Sequence, residues 1–356
     1  MGLMPILAAG SARLDHWIFR ATTRHDRLIG VAILRLFLGV AAVGFYVSDY
    51  GHRAYLWGPN GYVSMAGASH QLKPGQFSLY LISDSNAWFE LLYHSALLVA
   101  VAFTLIGGRV LTLLHAVLLW SIYLRNQDML RGGDNLAQIL LIFMVFTVNN
   151  AYLAPGARRR RATLVPRRRR ATLVPQSQLR PVGTLLHNAA VVAMLIQIGV
   201  LYFVAGYLKA TAEIWTNGTA MYYISRIHMF SMFPGFPQAM NNAYLGWAVN
   251  YFTIIAEIAV PFVIWSRRAA IRKLVTVSLE GMHIGIMALM GLVTFGLIMI
   301  GADSLILNDH DYRTIQARIR SANSTVRQLF GPATGRLRVR PSTAEQPVLL
   351  PERVGF

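Results

Sequence analysis

Lys209 is the residue of this chain whose type and position most suggest chemistry. It follows the apolar run from Tyr202 to Leu208, in a chain with 3 Lys against 30 Arg. A desolvated lysine can lose its proton, whereas arginine keeps its charge, so a lysine at this place can act as a general base. The same position also fits a snorkelling cation, with its stem in apolar surroundings and its ammonium in water.

An aromatic segment follows Lys209 and could close over it. Trp215 and an Asn-Gly turn come first, the pair Tyr222 and Tyr223 comes next, and Arg226 follows the pair. Further aromatic residues are Phe230, Phe233 and Phe236, and the Pro234–Pro237 run argues against a straight helix there. Such a lining suits a planar apolar ligand, but it also suits an aromatic belt at the membrane interface.

Ionisable residues inside apolar segments are costly in a membrane and mark further candidates. Arg35 and Glu257 lie in two such segments, and Glu280 and His283 lie three apart in another. A structural interpretation pairs the first two as an interhelical salt bridge. Asp134, before a later apolar segment, fits a helix N-cap and also a residue that faces the same cavity as Lys209.

No metal site is predicted. Glu280 and His283 form the single Glu-x-x-His motif considered, whereas dimetal carboxylate bundles need two such motifs and further carboxylates. His94, His115 and His283 could clasp a haem between helices, but nothing in the sequence specifies their pairing, and haem is not predicted. The chain has no cysteine, so thiolate chemistry and disulfides are excluded.

The elements that position these residues are membrane helices. Hydrophobic residues make up 55% of the chain and charged residues 13%, which excludes a soluble globular domain and a disordered chain. We therefore expect an all-α, polytopic transmembrane bundle in a lipid bilayer. About seven segments approach the ~20 residues that a span needs: Leu28–Ser48, Ala87–Ile106, Val110–Leu124, Asn135–Val148, Leu185–Leu208, Ala248–Trp265 and Leu274–Ile300.

The distribution of arginine predicts the orientation. The loop 149–184 holds nine Arg and no acid, and it contains the exact repeat RRRRATLVP at Arg158–Pro166 and Arg167–Pro175. Basic loops stay in the cytoplasm, so this loop and the N-terminus are predicted to be cytoplasmic in a multi-pass protein of the cell membrane. Seven spans would then place the C-terminus outside. The eight Arg of residues 302–356 conflict with that placement, so either the tail is translocated or one span is wrong.

Three regions follow from these patterns. Residues 1–26 form a cytoplasmic leader, residues 27–305 form the transmembrane domain with the basic loop 151–184, and residues 306–356 form a basic tail without regular structure. The net charge of +18 comes largely from a few arginine runs and indicates orientation rather than nucleic-acid binding. The runs also fit contact with anionic lipid, at about 1 kcal/mol per basic residue near the surface.

The segment Tyr202-Phe203-x-Ala205-Gly206-x-x-Lys209, with Trp215, Gly218 and Tyr222 to Arg226, resembles the HTTM domain, the membrane half of vitamin K-dependent gamma-carboxylase. The Leu34–Gly39 stretch is similar to the start of that domain, and His283 stands where the family shows a histidine. The resemblance covers roughly residues 25–305. In size the chain is most similar to the bacterial relatives, including SdpB-type proteins needed to mature a secreted peptide toxin.

This resemblance implies that Lys209 is a general base toward a quinone-like cofactor and that His283 lies in the cavity. It also implies two partners, a small secreted peptide and a companion maturation protein. The chain lacks the large luminal substrate domain of the carboxylase, and Gly-Gly-Asp at 132–134 replaces a functional histidine. Glutamate carboxylation is therefore not expected, and catalysis stays open beside a non-enzymatic role as a scaffold, export or immunity partner for a secreted peptide.

Overall fold

A computed structural model describes residues 19, 21–129, 132–164 and 179–330, and no β-strand occurs among them. The predicted all-α class is confirmed. The helices are α1 Leu28–Ser48, α2 Arg53–Trp57, α3 Met65–Gln71, α4 Asn86–Leu105, α5 Arg109–Arg125, α6 Gly132–Met144, α7 Ala157–Leu164, α8 Leu179–Thr211, α9 Glu213–Thr216, α10 Ala220–Ile224, α11 Gly235–Ala239, α12 Ala243–Ile264, α13 Ala269–Met290, α14 Val293–Asp303 and α15 Asp309–Phe330.

Five of these helices are long and apolar enough to cross a membrane: α1, α4, α8 from Pro181, α12 and α13. The chain is therefore a multi-pass membrane protein by the length and composition of its helices. The count of seven spans is not supported. Helices α5 and α6 have 17 and 13 residues, fewer than the ~20 that a full span needs. The seventh predicted segment is broken into α13 and α14.

The break lies at Gly291, which takes a left-handed conformation with φ +72°. Glycine adopts this conformation without a steric penalty, which makes it a common helix terminator. Helix α14 then folds back along α13, and the two helices approach closely at Gly296, where a Cβ atom would lie 2.3 Å from Met287 Cγ. The chain therefore reverses direction inside what the sequence presents as one apolar segment.

The start of α1 and the end of α14 meet at one end of the bundle. We call it the arginine end after Arg27, Arg109 and Arg272. The Arg27 guanidinium donates to the Ile306 carbonyl at 2.8 Å. The Asp309 carboxylate accepts from the amides of Leu28 and Ile29 at 3.3 and 2.9 Å. Arg272 pairs with Asp311 at 2.7 Å. The first helix of the bundle thus begins where α14 ends.

Further contacts give the direction of the other helices. The His187 ring accepts from the Val148 amide at 3.0 Å and contacts the Asp26 carbonyl at 2.8 Å. The chain after α6 and the first part of α8 therefore lie at the arginine end. Helices α1, α5, α8 and α13 therefore run away from that end, and α4, α6, α12 and α14 run back. The loops 49–85 and 212–242 lie at the opposite end, which we call the loop end.

Seven spans would bring the chain out of the bundle at the loop end, and the described residues differ from that expectation. Because α14 returns, Tyr312 leaves the bundle at the arginine end, and its hydroxyl donates to the Ser304 carbonyl at 2.7 Å. The described residues after Tyr312 belong to a separate compact unit. That unit begins with the rest of α15. Residues up to Phe330 are helical, whereas the sequence predicts a tail without regular structure. Residues 331–356 and the second repeat Arg167–Pro175 lie outside the described residues.

This arrangement predicts the labelling pattern of single cysteines in a chain that has none of its own. Cysteines at Arg267 and His310, both exposed at the arginine end, are expected to react with a membrane-impermeant maleimide from the same side of sealed vesicles. Cysteine at Asp84, exposed at the loop end, should react from the other side. Reaction of the His310 and Asp84 variants from one side would contradict the returning α14.

Candidate functional site

Lys209 lies on the face of α8 that packs against α12. Tyr202, Gly206 and Lys209 are spaced i, i+4 and i+7, which places them on one side of a helix. Gly206 lets the two helices approach, because a Cβ atom there would lie 2.8 Å from Ile258 Cγ1 and 3.1 Å from Glu257 Cβ. The glycine of the sequence segment therefore brings Lys209 within reach of a carboxylate on α12.

Lys209 and Glu257 form a two-pronged ion pair. Lys209 Nζ donates to Glu257 Oε1 at 2.9 Å and to Oε2 at 2.7 Å. The side chains are 22% and 9% exposed. The ammonium is thus neither free in water nor isolated in the apolar interior. The proposed salt bridge between Arg35 and Glu257 is wrong, because Glu257 takes Lys209 as its partner.

Trp215 lies beside the ion pair. Its ring lies 5.3 Å from Lys209 Nζ, within the range of a cation–π contact. The Asn-Gly turn that follows fixes this arrangement. Gly218 has φ +81°, and a Cβ atom there would lie 2.1 Å from Trp247 Cδ1. Asn250 Nδ2 donates to the Gly218 carbonyl, so the turn rests directly on α12.

The rest of the predicted aromatic lining does not surround Lys209. Arg226 stacks on the Tyr222 ring at 3.5 Å, and the exposed Tyr223 packs edge-to-face on Tyr222. Phe236 is buried in the short helix α11, and Phe233 is exposed. Tyr222, Tyr223 and Phe233 therefore form part of the surface at the loop end, whereas Phe236 packs beneath it.

A second polar cluster lies two helical turns deeper on α8. The Tyr202 hydroxyl donates to Asp303 Oδ1 at 2.7 Å and lies 2.7 Å from His283 Nε2. His283 Nε2 is also 3.4 Å from Asp303 Oδ2. The three side chains come from α8, α13 and the last residue of α14. The returning course of α14 is what brings Asp303 to the other two.

Sequence reasoning missed Asp303. The residue stands at the end of an apolar segment, where it resembles the first polar residue of a loop. A carboxylate there is buried only because α14 folds back along α13, and no periodicity of the sequence predicts that reversal. Tyr202 appeared in the motif around Lys209, but no role was predicted for its hydroxyl.

A cavity of about 860 Å3 opens at the loop end, between the break after α13, the start of α6 and the turn His228–Phe230. Its lining is mainly Met and Phe side chains with His228. Phe295, in this lining, packs edge-to-face on the His283 ring with centroids 5.9 Å apart. His283 therefore lies directly behind one wall of the cavity, whereas Lys209 is not part of the lining.

Arg35 lies apart from both clusters. It is buried near the arginine end, where its guanidinium donates to the carbonyls of Phe103, Thr104 and Leu153, the first at 2.9 Å. These bonds hold the turn between α4 and α5 to the first helix. Backbone carbonyls are thus the hydrogen-bond partners of this buried cation, and the geometry indicates a structural role.

Asp134 is not an N-cap, because α6 begins at Gly132 and places Asp134 in its first turn. Its carboxylate accepts from the Tyr123 hydroxyl at 2.9 Å and lines a small buried pocket with Leu38 and Ile298. An acid in the first turn of a helix interacts favourably with the helix dipole. Asp134 therefore stabilises the packing of α5 and α6 away from Lys209.

Glu280 is half-buried on α13, and its charge acts on the Asp303 carboxyl. The remaining histidines have separate surroundings. His115 is buried against Phe103, with ring centroids 4.7 Å apart, whereas His94 contacts Tyr50 and Glu90 at the loop end. Within the described ranges no group of three or more His, Asp or Glu side chains could hold a metal ion.

Comparison of the chain with family models, with curated proteins and with solved structures gives no match.

Proposed function

We propose that this multi-pass membrane protein is of the HTTM type and that Lys209 and Glu257 carry out acid–base chemistry on a small, planar, hydrophobic ligand of the quinone class. The observation that carries the proposal is the two-pronged Lys209–Glu257 pair, partly exposed at the loop end beside Trp215. The family resemblance in the Tyr202–Lys209 segment supports it. A secreted peptide with a companion maturation protein is the alternative substrate class.

The pair can act as a base through one proton shift. The hydrogen bonds of 2.7 and 2.9 Å join Nζ directly to the carboxylate, so a proton can move from the ammonium to Glu257 without movement of heavy atoms. The amine that results can take the proton of a quinol hydroxyl, and the ammonium it regains stabilises the oxyanion of the ligand. Surroundings of low dielectric strengthen both interactions.

We further propose that the arginine end faces the cytoplasm of the cell. This end holds Arg24 and Arg27 before α1, Arg109 at the start of α5, and Arg267, Arg268 and Arg272 around the start of α13. Cytoplasmic segments of membrane proteins carry such an excess of Lys and Arg. The Lys209 pair then lies toward the outer side of the membrane, where a secreted peptide or a lipid-soluble quinol could reach it.

The test uses the full chain in lipid nanodiscs with menadiol as the probe, whose deprotonation is followed by absorbance. We expect the wild type to accelerate deprotonation. Lys209→Arg keeps the charge and the ion pair but removes the base, because arginine does not deprotonate, so this variant should bind the probe without accelerating the reaction. Lys73→Ala, at an exposed lysine of the loop 49–85, is the control and should match the wild type.

The second candidate function is a non-enzymatic scaffold, export or immunity partner for a secreted peptide. The observation in its favour is that Glu257 fully neutralises Lys209, so the pair can act simply as a tie between α8 and α12. This function predicts that Lys209→Arg behaves as the wild type in every assay, including deprotonation of menadiol. That outcome would overturn the catalytic proposal.

A further inference from the structure

Tyr202, His283 and Asp303 form a hydrogen-bonded chain in the middle of the bundle. The three residues are 1%, 2% and 0% exposed. The Tyr202 oxygen lies 2.7 Å from both His283 Nε2 and Asp303 Oδ1, so it bridges the two ionisable groups. Within the described residues, Asp303 has no Lys or Arg at ion-pair distance.

The donors of this chain can be assigned in two ways. A tyrosine hydroxyl has one hydrogen. When Tyr202 donates to Asp303, the contact with His283 must use the Nε2 hydrogen of the histidine. In the reverse order, a protonated Asp303 donates to Tyr202, and Tyr202 donates to Nε2. The two arrangements differ only in the positions of protons, so they can interconvert without movement of the heavy atoms.

Both ends of the chain are open. His283 Nδ1 and Asp303 Oδ2 are buried atoms without a hydrogen-bond partner among the described residues. Buried polar atoms are nearly always hydrogen-bonded, and an exception calls for an explanation. Unpartnered atoms at both ends leave places where a proton can enter and leave this chain of hydrogen bonds.

The balance of charge also requires a mobile proton. A buried carboxylate without a cation is strongly disfavoured. Either His283 carries a second proton or Asp303 carries its own, and Tyr202 connects these two states. The other ionisable groups whose charges act on the triad are Glu257 on α12 and Glu280 on α13. Lys209 neutralises Glu257, so Glu280 is the negative charge that favours retention of this proton.

We infer that Tyr202, His283 and Asp303 form an intramembrane proton-exchange site that serves the cavity at the loop end. A single side chain, Phe295, separates the two, because its ring packs on His283 and lines the cavity, and exchange takes place when this ring swings aside. The exchange partner is a hydroxyl group of water or of a ligand in that cavity. The inference does not depend on Lys209 acting as a base.

The exchange step conserves every proton. With Phe295 aside, His283 Nδ1–H transfers its proton to the acceptor that reaches it from the cavity. The Tyr202 proton moves to His283 Nε2, and the Asp303 proton moves to the Tyr202 oxygen. The triad therefore loses one proton, and the negative charge appears on Asp303. Return of a proton to Nδ1 reverses the three movements, and no oxidant or reductant takes part.

The test follows the protonation of both terminal groups in the full chain in nanodiscs. Isotope-edited infrared spectroscopy reports the Asp303 carboxyl, and nitrogen-15 NMR reports the His283 ring. In the wild type the two signals should change together at one midpoint as the pH varies. Tyr202→Phe removes the bridge, so the midpoints should separate, and exchange of the His283 ring proton should slow about 100-fold, within the range for a positioned proton-transfer group.

Tyr93→Phe is the matched control, because Tyr93 is also buried and its hydroxyl donates to the Tyr46 carbonyl at 2.7 Å. It should leave the coupled titration unchanged. If Tyr202→Phe does not fold, His283→Gln provides a second test, since Asp303 should then keep one protonation state at every pH. Separate midpoints in the wild type, or equal effects of the two Tyr→Phe variants, would overturn the inference.

Discussion

Replacement of Asp311 by alanine is expected to lower the free energy of unfolding by about 3–5 kcal/mol, the usual cost of removing one partner of a buried ion pair. Arg272 Nε and Nη2 each donate to the Asp311 carboxylate, at distances from 2.7 to 2.9 Å. The side chains are 7% and 0% exposed. The substitution leaves the Arg272 charge buried without its counterion.

The surroundings of Arg272 increase this effect. Arg27 and Arg272 share a poorly hydrated region, and burial and the neighbouring Arg272 charge lower the pKa of Arg27 to about 10. Asp311 also accepts from the Asn308 amide at 3.1 Å and therefore holds the turn before α15. Loss of the carboxylate removes the counterion for Arg272 and weakens the attachment of this turn to the bundle.

Unfolding in dodecylmaltoside micelles, followed by tryptophan fluorescence, measures the effect. Asp84→Ala, which removes an exposed acid at the loop end, is the control and should change stability by at most about 0.5 kcal/mol. The double variant Arg272→Met with Asp311→Leu should recover most of the loss, because it leaves no buried charge. Equal stability of the Asp311 and Asp84 variants would show that the ion pair does not hold the arginine end together.

The class of the fold follows from composition and hydropathy, because a chain this apolar must bury its backbone groups in helices within lipid. The order of the long helices follows for the same reason. The reversal at Gly291 does not, since one glycine within an apolar segment is compatible with a continuous helix. The conflict between a C-terminus outside and eight arginines in the tail left two alternatives, a translocated tail or a wrong span, and the break at Gly291 favours the second.

The candidate site was predicted in part. The rarity of lysine singled out Lys209, and the structure gives it a partner, Glu257, that was predicted for Arg35 instead. Hydropathy places Lys209 and Arg35 in helices, but it contains no information on which helices are neighbours. Asp303 shows the same limit, because its burial depends on the contact between α13 and α14 rather than on its own segment.

The two single variants of the Lys209–Glu257 pair are expected to lose different amounts of stability. Lys209→Leu leaves a carboxylate that is 9% exposed, so it should cost about 3 kcal/mol or more of stability. Glu257→Leu leaves a lysine whose flexible stem can carry the ammonium to water at the loop end, and it should cost clearly less. The double variant should lie near the wild type, because buried ion pairs add little over apolar packing.

The three variants also distinguish the two proposed functions, because the double variant removes both charges and keeps the fold. If the pair is only a tie between α8 and α12, the stable double variant should keep every activity of the protein, including capture of a peptide partner. If the pair exchanges protons with a ligand, the double variant should fold and yet fail to deprotonate menadiol. Equal losses of stability in the two single variants would contradict the asymmetric burial on which this prediction depends.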